Sequence, residues 1–124
     1  MLRCVFAALI ALAAALPAHA QRVFEADALR GELLVTKPPE ALLNGKPIRL
    51  APGARIRDPS NVIQLSGALL GQKLVVNYTL DPAGDLHSVW ILTDAEVAKK
   101  PWPTSREQAQ SWVFDSTLQR WSRP

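Results

Sequence analysis

Sulfur is almost missing from this chain. It holds one cysteine, Cys4, and one methionine, the initiator. Both fall within the first twenty residues, so the chain beyond them offers no disulfide, no thiolate nucleophile and no thiolate ligand for zinc. Histidine is nearly as scarce, with His19 and His87 alone. A Ser-His-Asp arrangement after residue 20 would therefore have to use His87. A strong charge of one sign is missing too. Basic residues outnumber acidic ones by three over the whole chain, and by two once Arg3 is set aside. Such a balance does not advertise nucleic acid or an anionic membrane as a partner. No P-loop, G-x-S-x-G elbow, H-E-x-x-H pattern, internal repeat or low-complexity tract is present. No cofactor and no metal are expected from these residues, and the chain reads as a non-enzyme.

What is present begins with an export signal. Arg3 precedes an unbroken apolar run over residues 4–16, Pro17 breaks it, and Ala18-His19-Ala20 has the A-x-A spacing that a signal peptidase requires. Thirteen residues span only about 20 Å as a helix, against roughly 30 Å of bilayer core. Residues 1–20 are thus expected to be a cleaved signal peptide, cut after Ala20, leaving no membrane span. Cys4 stands at the start of the apolar run, whereas a lipidated cysteine follows one. Small secreted eukaryotic domains usually staple themselves with disulfides, so a chain without them behind an Ala-rich leader is expected in a bacterium, in the periplasm of a Gram-negative cell.

Turn punctuation dominates residues 21–92. Lys37-Pro38-Pro39, Asn44-Gly45, Pro52-Gly53, Asp58-Pro59-Ser60-Asn61, Gly67, Gly71 and residues 81–85 read as turns or breaks. Between them lie strand candidates at 31–36, 41–43, 46–50, 54–57, 62–66, 72–80 and 86–92. This pattern predicts a mainly β, small single-domain antiparallel barrel or sandwich, OB-like in outline, with a short C-terminal helix and hairpin extension. The β-domain is expected over residues 21–96 and the Trp-rich extension packing on it over residues 97–124.

Two hairpins anchor the prediction. Asn44-Gly45 tolerates the positive φ angles of a type I′ turn. Pro47 cannot donate to a ladder, which puts its strand at an edge or a bulge. In the second hairpin, closed by residues 81–85, setting Leu80 opposite Leu86 places Tyr78 opposite Ser88, Val76 opposite Trp90 and Leu74 opposite Leu92. That register gathers Leu74, Val76, Tyr78, Leu80, Leu86, Trp90 and Leu92 on one face. Val89 and Ile91 remain on the other, so something should pack over each side.

The C-terminal third supplies candidates for that cover. Thr93-Asp94-Ala95-Glu96 is a capping-box pattern opening a short helix that ends before Pro101, and Thr104-Ser105-Arg106-Glu107 is a second. Residues 111–114 and 119–121 predict a final hairpin about a four-residue turn. Trp102, Trp112 and Trp121 each carry on the order of 150–250 Å² to bury. Docking on the sheet is the expectation; the alternative is an exposed aromatic binding surface.

Arg49, Arg55 and Arg57 form the most suggestive polar cluster. Arg55 and Arg57 alternate around Ile56 and so share a strand face, and guanidiniums on one surface suit a carboxylate, phosphate or glycan. His87 reads as a solvated strand histidine. Asp81 and Asp85 read as turn residues, without the periodicity of a calcium loop.

The stretch 43–57, with Val89-Trp90-Ile91-Leu92-Thr93, resembles small uncharacterised exported proteins of β-proteobacteria over about residues 28–96. The resemblance brings no catalytic residues, and a fold-level likeness to OB-like envelope barrels does not imply a function. The expected function is a non-catalytic binding module, partnered by another envelope protein. A glycan or anion binder using Arg49, Arg55 and Arg57 is the first alternative, and a hydrolase using His87 with Ser88 or a carboxylate the second.

Overall fold

The computed structural model describes residues 22–124. The leader expected over residues 1–20, with its cleavage site, lies outside the described residues. Strands β1 (Leu29–Lys37), β2 (Glu40–Leu43), β3 (Lys46–Arg57), β4 (Ile63–Gln64), β5 (Lys73–Leu80) and β6 (Leu86–Ile91) form one sheet. It closes on itself, because β2 pairs with β3 as well as with β1. The circuit β1-β2-β3-β6-β5-β1 is a five-stranded barrel, as expected. One expectation needs correcting: the barrel is not wholly antiparallel, since β3 and β6 run parallel. A 3₁₀ turn, Ser66–Leu69, leads from β4 to β5 and drives Leu69 into the interior.

Alternation decides which side chains fill the barrel. Along β1, Leu29, Leu33 and Val35 point inward, with Gly31 between them. Gly31 is the residue that lets Asn44 and Leu43 come close: a Cβ there would stand 3.0 Å from Leu43 Cδ1 and 3.1 Å from the Asn44 amide. Ala41, Leu43, Leu50, Ile56, Val76, Tyr78, Leu86 and Val89 complete the core. The Asn44-Gly45 turn has the positive φ at both residues that a type I′ hairpin requires. Pro47 stands opposite Leu42, before β3 meets β6 at Leu50.

Two details depart from the predicted strands. Pro52-Gly53 does not break the chain; residues 46–57 make one strand. Proline is tolerated because this stretch lies beyond the β2 pairing, which ends at Arg49, and inside the shift of the β6 pairing between Leu50 and Arg55. In the second hairpin Leu80 does pair with Leu86, but a bulge intervenes, and Thr79 meets Ser88, Tyr78 meets Val89 and Asn77 meets Trp90. The slip turns Val89 inward and Trp90 outward, reversing the predicted faces of β6 beyond His87, while Leu86 stays inward as predicted.

Outside the barrel lies a second layer, which explains how that strand is covered on both sides. Helix α1 (Asp94–Val97) opens on the capping box of Thr93 and Glu96. Helix α2 (Arg106–Ser111) is capped by Ser105, one residue later than predicted, with Gln108 rather than Glu107 at the third position. Strands β7 (Val113–Asp115) and β8 (Arg120–Ser122) form the final hairpin. Trp102, Trp121, Phe24, Ala28 and Leu92 build a second core here, with Trp90, Trp112 and Phe114 at its margin. The rings meet edge to face: Trp102 lies 5.8 Å from Phe24 and 6.2 Å from Trp121. The Trp102 indole donates to the Ala28 carbonyl at 2.9 Å, and the Arg30 N–H donates to the Pro103 carbonyl at 2.8 Å, tying the extension to β1.

Candidate functional site

The arginines predicted to act together do not meet at one point. All three occupy odd positions of β3, so they share its outer side while Ile48, Leu50, Ala54 and Ile56 turn inward. Arg55 lies six positions beyond Arg49, about 20 Å at the rise of a strand, which is too far for one small anion to bridge. Arg55 stands beside Ser88 and Arg57 beside Trp90 in the parallel pairing with β6. Arg49 alone reaches a recess.

That recess is a groove of about 720 Å³ at one mouth of the barrel. Its sides come from the Pro38-Pro39 turn, the middle of β3, and the β4 segment with the residues after it; Asp85 of the β5–β6 turn completes the rim. The Leu50 N–H donates to the Pro39 carbonyl at 2.8 Å, which holds the proline turn against β3. Across the groove the chain reverses through residues 58–61. Asp58 organises this reversal, accepting from the Val62 N–H and from the Gln64 amide, both at 2.9 Å. The Val62 N–H holds the Asp58 carboxyl below its ordinary range; slight burial opposes it, while Gln64, the Ser60 backbone and Arg22 add to it.

The walls are apolar: Pro38, Pro39, Pro52, Ala54, Ile63 and Leu65 face Arg49, Gln64, Ser66 and Asp85. Leu65 is 79 % exposed and Ile63 55 %. Of the eight large apolar side chains exposed among the described residues, four (Val62, Ile63, Leu65 and Leu70) fall within residues 62–70. Single exposed aliphatics are ordinary, but a contiguous group is a mark of an interaction surface. Strand β4 also ends the sheet and is hydrogen-bonded on one side only, a ready template for another strand.

No known family, curated protein or solved structure matches the chain. The groove must therefore be read from its own chemistry.

The tryptophans belong elsewhere. Trp102 and Trp121 are each 6 % exposed and serve as core, so the alternative of an open aromatic surface fails for both. Trp112 is half-buried beneath the Arg123 guanidinium, 5.3 Å from its ring centre. His87 is exposed at the bulge of β6 and outside the groove, with Ser88 paired to Thr79. Among the described residues, no three His, Cys, Asp or Glu side chains gather as a metal site.

Sequence reasoning missed a buried polar assembly. Arg30 lies on the outer side of β1, yet the extension roofs it. Its guanidinium donates to Asn77 Oδ1 at 3.2 Å and to the carbonyls of Lys99 at 2.7 Å and Glu96 at 3.0 Å, and lies 4.9 Å from the Trp102 ring centre. Burial lowers its pKa to about 10, against the attraction of Glu96, so it stays charged at neutral pH. Arg22 grips both Glu96 carboxylate oxygens and donates to the carbonyls of Ile91 and Asp58. Burial pushes the Glu96 carboxyl up, but hydrogen bonds from Arg22 and Thr93 outweigh it and leave the group below its ordinary range. Glu96 was visible as a capping residue; nothing in the sequence marked Arg22 or Arg30.

Proposed function

We propose that this protein is a non-catalytic binding module of the periplasm that docks an extended segment of another envelope protein in the groove beside β4. The observation that carries this reading is the grouping of exposed aliphatic side chains, Ile63 and Leu65 foremost, along the wall of a groove bounded by a free strand edge. Main-chain pairing along β4 supplies affinity, and apolar side chains of the guest fill the space between Pro38-Pro39 and Leu65. Arg49 on the rim favours a guest with an acidic residue beside its apolar ones. The leader-like pattern of residues 1–20 supports the compartment.

A photo-crosslinking residue placed at Leu65 in intact cells tests the reading. It should yield a discrete adduct with an envelope protein, lost when Ile63 and Arg49 are replaced by Ser. The same probe at Val113, equally apolar, 69 % exposed and remote from the groove, should not yield it. No adduct at Leu65, or the same adducts from both positions, would show that the groove is not a docking site.

A further inference from the structure

A second recess, of about 400 Å³, opens on the other layer between α1 and β8. Lys99, Lys100 and Arg120 line it and no acid does. A shallower hollow beside it shares Lys100 and Trp121 and adds Arg123. We propose that this joined recess binds an anionic phosphoryl group, on either a soluble phosphate compound or a phospholipid headgroup.

Four observations converge on that chemistry. Among the described residues the one ion pair is Arg22 with Glu96, so none of the four cations is neutralised by a carboxylate within salt-bridge distance. Asp115 pairs across from Arg120 in the hairpin, but its Oδ1 is held by the N–H groups of Thr117 and Leu118. The C-terminal carbonyls of α1 would ordinarily repel an anion; here Arg30 caps those of Glu96 and Lys99 from behind. Finally, Trp121, which walls both hollows, is 94 % buried by its 6 % exposure, and its indole N–H has no acceptor in the protein. A buried donor without a partner is costly, and it lies in the wall of a recess whose guanidinium forks and ammonium groups suit phosphoryl oxygens. Four uncompensated cations exceed what a single carboxylate needs. The arginines sought on β3 for an anion thus give way to a cluster on the second layer.

Titration of the intact protein with inorganic pyrophosphate, and separately with phosphatidylcholine vesicles with or without phosphatidylglycerol, tests the site. The Trp121 indole N–H resonance should shift on pyrophosphate binding. Lys99→Ala/Lys100→Ala/Arg120→Ala should weaken binding about tenfold or more, as loss of charge-assisted contacts requires. Lys46→Ala/Arg55→Ala/Lys73→Ala removes the same charge from exposed positions outside the recess and should leave binding unchanged. Pyrophosphate that binds and displaces the protein from vesicles assigns the site to phosphoryl groups of either source. Vesicle binding that needs phosphatidylglycerol and the three recess cations, without pyrophosphate binding, assigns it to the headgroup. Binding of neither probe at millimolar concentration overturns the proposal, as does an equal loss in the two triple variants. Circular dichroism of both variants keeps unfolding separate from loss of the site.

Discussion

Replacing Arg30 with Met puts the strongest demand on the physical account of the second layer. Methionine keeps most of the stem and its packing against Trp102, while removing the guanidinium. Three well-formed bonds disappear, to Lys99 O, Glu96 O and Asn77 Oδ1. At about 1.5–3 kcal/mol for each bond from a charged donor, the gross loss is roughly 5–9 kcal/mol. Against it stands relief from burying the charge: lowering the Arg30 pKa from 12.5 to about 10 corresponds to about 3 kcal/mol. The net destabilisation is about 2–6 kcal/mol. Urea unfolding read by tryptophan fluorescence should show a lower midpoint at unchanged slope, and Tm should fall by roughly 4–8 °C per kcal/mol. Because the lost bonds hold residues 96–99, protease cleavage after Lys99 should accelerate before global unfolding. A loss below about 1 kcal/mol, or a gain as apolar replacement of buried charge can give, would refute the claim that Arg30 fastens the extension to the barrel.

Two further outcomes are expected. Glu96 is held below its ordinary pKa, so its contribution is present above the unfolded value, about 4.3, and is lost as pH falls through the lower folded value; Glu96→Gln should flatten the pH dependence of Tm in that acid range, and an unchanged slope would exclude the Arg22 contact as its cause. Gly31→Ala should cost about 1–3 kcal/mol by crowding Leu43 and Asn44, and a neutral result in a denaturant melt would mean that β1 and the β2–β3 turn are less closely packed than described.

The barrel was legible in the sequence because its cues are local. Asn44-Gly45 needs left-handed backbone and announces its hairpin, and short alternating runs between turns announce strands. The bulge after Leu86 was not legible: Val89 and Ile91 are apolar like Trp90 and Leu92, so either face of β6 satisfied the pattern. Pro52-Gly53 looked like a break because sequence cannot show that neither neighbouring strand needs a ladder bond there. The groove was harder still. Its walls come from residues 38, 39, 49, 65 and 85, joined only by barrel closure. Arg30 carried no signal at all, since its burial depends on residues 96–103 arriving from the far end of the chain.

Gln119 makes that distance concrete. Its side chain both accepts from the Phe24 N–H and donates to the Phe24 carbonyl, joining positions 95 residues apart. Contacts this remote carry a large loop-closure entropy, which intervening structure lowers by bringing the ends together. A polypeptide emerging N-terminus first would hold Phe24, Ala28 and the outer side of Trp90 uncovered until the final hairpin arrived. Between the completion of β6 and the arrival of β7 and β8 the molecule would be a barrel with an open apolar flank, suited to a holding chaperone, and that hairpin would end the exposure.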